Sequence, residues 1–253
     1  MAVRQAGPTT THALSFDGVS MVFPNGTHAV QDVSFEVDWK EFVVTVGPSG
    51  CGKSTLLRIA SGLERASSGK VVVEGSQLGY VFQDPTLLPW RTVQGNVELL
   101  GELHGLEKEE RRRRAAEAIA MVGLEGFEQN HPKQLSGGMR MRVSLARSLT
   151  MDPKVFLFDE PFAALDEITR TRLNDELLRL FTHEGFAGLF VTHSIPEAVY
   201  LASRVIVMSG RPGRILGEVS VPFDYPRSPD LRFDPEFAAV AGRVSKLLRE
   251  AYA

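Results

Sequence analysis

Short β-branched runs alternate with longer stretches of helical period along this chain. Three runs, EFVVTVG (41–47), KVFLFDE (154–160) and GLFVTHS (188–194), are almost continuously apolar and end in polar residues. Such runs predict parallel strands buried on both faces, with carboxyl ends that line a site. LSFDGVSMVF (14–23), DVSFEV (32–37) and GKVVVEG (69–75) alternate apolar with polar positions and predict an antiparallel sheet near the N-terminus. KSTLLRIASGL (53–63) has the pattern of a helix. Residues 90–150 are mostly helical in pattern, in a segment near 93–103, in EKEERRRRAAEAIAMVGL (107–124) and in SGGMRMRVSLARSLT (136–150). The alternation predicts an α/β fold with a helical block inserted into it. In the last stretch, PEFAAVAGRVSKLLREAYA, residues Phe237, Val240, Val244 and Leu247 recur at helical spacing.

Composition narrows this picture only a little. With 253 residues, the chain is long enough for one sizeable core or two small ones. Hydrophobic content of 43% and charged content of 23% are ordinary for a globular protein. A net charge of −3 gives no sign of a nucleic-acid partner, whose phosphates call for a basic surface. The run Arg111 to Arg114 follows Glu107, Glu109 and Glu110, so it predicts a solvated helix face. MAVRQAGPTTTHAL lacks the apolar stretch of a signal peptide, and no window approaches the roughly 20 apolar residues of a membrane span. Residues 1–12 are expected to form a flexible tail. The single cysteine, Cys51, cannot form an internal disulfide, which fits a reducing compartment.

Chemistry enters at GPSGCGKST. Gly47, Pro48, Ser49, Gly50, Cys51, Gly52, Lys53, Ser54 and Thr55 fill the pattern G-x-x-x-x-G-K-[ST], between a predicted strand and a predicted helix. A bare backbone before a helix N-terminus presents N–H groups to phosphate. Lys53 is then placed for the β- and γ-phosphates, Ser54 for Mg²⁺ and Thr55 for the α-phosphate side; Cys51 is a small filler. About a hundred residues later, VFLFDEP ends a predicted strand in two carboxylates. Neighbouring strand residues face opposite ways, so Asp159 and Glu160 should have different tasks. Asp159 suits the Mg²⁺ shell through water, and Glu160 suits polarisation of an attacking water near the γ-phosphate. LSGGMRMR (135–142) opens a second helix with Ser136, Gly137 and Gly138. A helix cap accounts for Ser136; the glycine pair suggests a further anion site, completed by the nucleotide of another copy.

Taken in order, these motifs resemble those of the ATP-binding subunit of an ABC transporter over nearly the whole chain. The resemblance implies a P-loop NTPase (RecA-like) core with an N-terminal antiparallel β subdomain and an inserted α-helical signature subdomain. It implies Gln83 in VFQDP as the Q-loop residue that touches Mg²⁺ and senses the γ-phosphate, Asp166 in ALD as the D-loop, and His193 in VTHS as the switch histidine. Phe23 in SMVFPNG matches the aromatic position that stacks on adenine. ATP and Mg²⁺ are the implied cofactors, held between two copies of the subunit. A separate transmembrane permease would be the client, docked on a groove that includes Leu87, Leu88 and Trp90, with a periplasmic solute-binding protein as an indirect partner. The chain would then sit on the cytoplasmic face of the membrane.

VFQDPTLLPW, LSGGMR, PFAALD and MSGRPGRI look most like the importers of nitrate, sulfonate and taurine, a group that also serves pyrimidine precursors of thiamine. The implied division is an ATPase domain over 13–230, with its helical subdomain near 90–150, and a short extension over 231–253 in place of a large regulatory domain. Two positions depart from the family pattern: Met141 stands where glutamine is usual, and Ser194 where aspartate is usual. An exporter subunit, a soluble non-transport ABC ATPase and a nucleotide-binding regulator are the alternatives. The last is disfavoured by the presence of both Glu160 and His193. The other histidines (12, 28, 104, 131, 183) show no metal-ligand spacing.

Overall fold

The computed structural model describes residues 12–75 and 77–251. Its centre is a six-stranded sheet built from β3 (Phe42–Val46), β5 (Leu78–Val81), β6 (Val155–Asp159), β7 (Ala187–Thr192), β8 (Arg204–Met208) and β9 (Ile215–Ser220). The order is β5-β6-β7-β3-β8-β9, parallel except for the antiparallel edge strand β9. All residues of β3, β6 and β7 are buried. Period-two alternation divides them between two cores. Phe42, Val44, Phe156, Phe158 and Phe190 face one core, whereas Val43, Val155, Leu157, Leu189 and Val191 face the other. Neither face meets water, which is why these runs are almost wholly apolar, with Thr45 the one polar residue inside them before the carboxyl ends.

The second core is closed by a three-stranded antiparallel sheet of order β2-β1-β4, formed by β1 (His12–Val22), β2 (His28–Asp38) and β4 (Ser68–Val73). Its inward residues, among them Phe16, Val33, Phe35 and Val37, pack with Leu56 and Leu57 of α1 (Lys53–Ala60). Strands 14–23, 32–37 and 69–75 are therefore found as predicted, with extended or shifted ends. The expected tail lies outside the described residues except for His12, which opens β1.

The first core is covered by helices. α2 (Val93–Val97), α3 (Leu99–Leu103), α4 (Lys108–Met121) and α5 (Gly137–Leu149) form the predicted helical block. The segment 93–103 is two short helices meeting at Glu98. Buried Asn96 ties this block to the preceding loop, donating to the Leu88 and Arg91 carbonyls and accepting from the Leu88 N–H. The arginine run is solvated and paired: Arg113 bridges Glu110 and Glu117, Arg114 meets Glu110, and Arg111 meets Glu98.

Among the described residues, five strands and α-helices have no counterpart among the predicted ones: β5, β8, β9, α6 (Glu167–Glu184) and α7 (Ile195–Leu201). β5 has four residues and contains Gly79, where a Cβ would lie 2.5 Å from the Phe156 ring. α6 carries the signals that delimit a helix, an Asp166 cap and Gly185 in the left-handed region at its end. α8 (Pro235–Glu250) sets Phe237, Val240 and Val244 into the same core as Phe158 and Phe190. Arg227, 8% exposed, fastens this C-terminal segment to α7 by donating to the carbonyls of Val199, Tyr200 and Ala202. Among the described residues no helix is long and apolar enough to cross a membrane.

Candidate functional site

The carboxyl ends of β3, β6 and β7 meet on one side of the sheet, where a doubly covered parallel sheet places ligands. The glycine loop joins β3 to α1. Gly52 has φ 101°, and a Cβ there would lie 2.4 Å from Val30 Cγ1 and 2.7 Å from the Ala29 carbonyl. Only glycine serves both demands. Lys53, 4% exposed, heads α1 and donates to the carbonyls of Gly47 at 2.9 Å and Pro48 at 3.0 Å. Cys51 is buried, and burial pushes its thiol pKa up, which fits a filler rather than a nucleophile.

The two carboxylates separate as expected, by a different device. Asp159, the last residue of β6, accepts from Ser54 Oγ at 2.6 Å through one oxygen and from the Tyr80 hydroxyl at 3.2 Å through the other. Glu160 lies outside the strand with φ 45°, and its N–H donates to the Val191 carbonyl. The left-handed backbone, more than strand alternation, aims its carboxylate. Glu160 Oε1 is 4.0 Å from Lys53 Nζ, and Oε2 is 3.2 Å from Nδ1 of His193. Lys53, Glu160 and His193 thus form one contiguous row. His193 follows β7 and is half exposed.

Tyr80 is the site residue that sequence reasoning missed. Burial and the adjoining Asp159 push its phenol pKa up, so it stays a neutral donor to that carboxylate. Nothing local in GYVFQ marks it: Tyr80 reaches Asp159 because β5 pairs in register with the acidic strand, Tyr80 opposite Leu157.

Phe23 lies in the turn between β1 and β2, half buried, and lines a cleft of about 170 Å³ with Thr27, Gly50, Lys53, Thr55, Glu160 and Arg211. Gln83 is exposed, two residues past β5, whose Val81 pairs with Phe158 beside Asp159. Ser136 caps α5, accepting from the Met139 N–H. The glycine pair has a reason within this chain: a Cβ on Gly138 would lie 2.8 Å from Thr169, and one on Gly137 would lie 3.2 Å from Leu165. Close packing on the start of α6 therefore explains part of what the sequence suggested was anion binding alone. Asp166 caps α6 by accepting from the Thr169 N–H and hydroxyl, which hold its carboxyl below the usual range.

The two departures are accommodated. Met141 is buried and lines a small cavity with Phe162 and Leu173. Ser194 caps α7, accepting from the Glu197 N–H.

A phosphate-binding loop after β3, an acidic strand end beside it and a glycine-opened helix on an inserted block define a P-loop nucleotide hydrolase. Residues 30–163 match the family model described as ABC transporter. An uncharacterized ABC transporter ATP-binding protein of Methanocaldococcus jannaschii is 44% identical over 257 residues, covering 99% of this chain and 93% of that protein. An aliphatic sulfonates import ATP-binding protein of Bacillus cereus is 40% identical over 225 residues, covering 85% of this chain and 88% of the relative. An ATP-binding cassette solved as a dimer in a post-hydrolysis state, bound to ADP and Pi, is 31% identical with a TM-score of 0.74, covering 83% of this chain and all of that one. The chain belongs to the ATP-binding family of ABC transporters, and the activity of the family is ATP hydrolysis.

Proposed function

We propose that the chain is the ATPase of an ABC importer, energising uptake of a small solute of the sulfonate, taurine and nitrate kind, or of a pyrimidine, through a separate permease. The observation that carries the importer reading is the 40% identity to an aliphatic sulfonates import subunit over 85% of this chain. The chain acts at the cytoplasmic face of the membrane, and a periplasmic solute-binding protein delivers the solute.

Each residue has a task in ATP hydrolysis that its position supports. Lys53 exchanges the Gly47 and Pro48 carbonyls for the β- and γ-phosphate oxygens, while the loop N–H groups close round the phosphates. Phe23 stacks on adenine from the mouth of the cleft. Ser54 Oγ and Asp159 Oδ1 offer hard oxygen donors 2.6 Å apart, which fit Mg²⁺, with Gln83 completing that side. Mg²⁺ held there would supply neutralisation of phosphate charge. Tyr80 holds the second oxygen of Asp159, so the first keeps its aim at Ser54. Glu160 orients the attacking water and accepts its proton, and His193 fixes the free rotation of that carboxylate from the other side. In this scheme Ser136, Gly137 and Gly138 close on the γ-phosphate held by a second copy, with Asp166 at the same seam.

The loop after Gln83 is the docking surface for the permease. Leu87 and Leu88 are half buried, and Leu87 packs on the helical core, whereas Trp90 is 72% exposed. Trp90→Ala is expected to lower permease co-purification and labelled alkanesulfonate uptake about tenfold, the usual scale for an aromatic anchor. ATP hydrolysis by the isolated subunit should stay within about twofold, since Trp90 is not among the residues that line the cleft. Uptake undiminished by the substitution would remove Trp90 from the interface. No uptake of any solute in the group by the unaltered assembly would overturn the importer reading.

A further inference from the structure

The turn RPGR (211–214), between β8 and β9, has no task in the scheme above, yet it is pressed against the phosphate loop from behind. Gly213 donates to the Ala29 carbonyl and accepts from the Gln31 N–H, and a Cβ on Gly213 would lie 2.0 Å from the Cys51 carbonyl oxygen. Ser209 Oγ stitches the turn internally, donating to the Pro212 carbonyl and accepting from the Arg214 N–H. From this braced turn Arg211 reaches forward. Its Nε and Nη2 both donate to the Gly50 carbonyl, at 3.1 and 3.0 Å. Gly50 has φ 74°, and a Cβ there would lie 3.0 Å from Arg211 Nη2. Among the described residues no carboxylate lies within ion-pair distance of Arg211, so its strong interaction is with the loop backbone.

We propose that Arg211 is a positioning residue of the phosphate loop: it holds the Gly50–Cys51 peptide plane in the orientation that receives phosphate. The peptide is rigid and planar, so fixing the Gly50 carbonyl fixes the Cys51 N–H across the bond, which here donates to the Pro48 carbonyl at 3.3 Å, the same oxygen that Lys53 would leave for phosphate. Three of the six residues from Gly47 to Gly52 are glycine, which restricts φ little, so this backbone depends on its contacts to hold one conformation. Lys53 orders the carbonyls of Gly47 and Pro48, and Arg211 orders that of Gly50. A loop ordered before the ligand arrives loses less entropy on binding it. The effect should fall on the phosphate part of the ligand and leave the nucleoside part alone.

The proposal rests on phosphate binding by this loop, and the test separates the two. Mg-ATP and Mg-tripolyphosphate affinities are measured by calorimetry for the unaltered protein, Arg211→Ala and Arg211→Lys, at low and high salt, with thermal unfolding as a check on folding. Arg211→Ala should weaken both ligands by about tenfold, the scale of one charge-assisted hydrogen bond, at both salt concentrations. Arg211→Lys should recover part of the loss, since a single ammonium can still donate to Gly50. Without ligand, hydrogen exchange over residues 49–52 should speed up at least about threefold in Arg211→Ala. A loss confined to ATP would make Arg211 a nucleoside contact and overturn the proposal. So would a loss that vanishes at high salt, which marks long-range attraction, or affinities and exchange that do not change. An unaltered protein that binds neither ligand would overturn the reading of the loop itself.

Discussion

Glu160→Gln is expected to lower the ATP turnover number by about 10²–10⁴-fold, the range for loss of a general base, with ATP affinity kept within about twofold. The carboxylate stands between the other two members of the row, one oxygen 4.0 Å from Lys53 Nζ and the other 3.2 Å from His193 Nδ1. Glutamine preserves its size and can still hydrogen bond to His193, so packing and the left-handed backbone should persist. What disappears is the capacity to take a proton from water. Single-turnover hydrolysis together with nucleotide affinity separates these effects. A turnover close to that of the unaltered protein would remove Glu160 from the proton-accepting role and turn attention to His193.

Lys53→Ala should act on the other side of the ledger, weakening ATP affinity by about a hundredfold, the scale of two charge-assisted contacts to the β- and γ-phosphates. Because Lys53 is buried and satisfies the Gly47 and Pro48 carbonyls, its loss also leaves the loop without that internal support. Lys53→Met, which keeps the aliphatic stem, controls for packing. The two variants should show the same affinity loss in equilibrium dialysis with labelled ATP if charge is responsible. Full recovery of affinity in the methionine variant would assign the alanine effect to packing instead.

Much of the catalytic side was legible because its residues are close in sequence and constrained by backbone geometry. A glycine loop after a buried strand, and two carboxylates ending another, can be found without coordinates. The central strands were legible because burial on both faces leaves almost no polar position before their carboxyl ends. β5 was hidden by its length and by Gly79, a residue that packing on Phe156 requires. Tyr80 and Arg211 were out of reach because each gains its role from a residue distant in sequence, Asp159 at one site and Gly50 at the other. The glycine pair after Ser136 showed the opposite difficulty. Its signal mixed two causes, and only the coordinates reveal that Thr169 and Leu165 account for part of it.

In the proposed scheme each nucleotide site takes Lys53 from one copy and Ser136 from another. Within one chain Ser136 caps the Met139 N–H, and Gly137 and Gly138 sit close to Leu165, Thr169 and Leu173. A two-fold arrangement of two copies would bring each glycine-opened helix to the other's phosphate loop. The direct measurement is ATP hydrolysis, with ATP-driven dimerisation followed by light scattering in a Glu160→Gln background, for Lys53→Ala, Ser136→Arg and their equal mixture. Each variant alone should be inactive. Random pairing makes half the dimers mixed, each with one doubly damaged and one intact site, so about a quarter of all sites should be restored. Recovery of hydrolysis or of ATP-driven dimers in the mixture is the predicted result; no recovery in either readout would contradict a site shared between two copies.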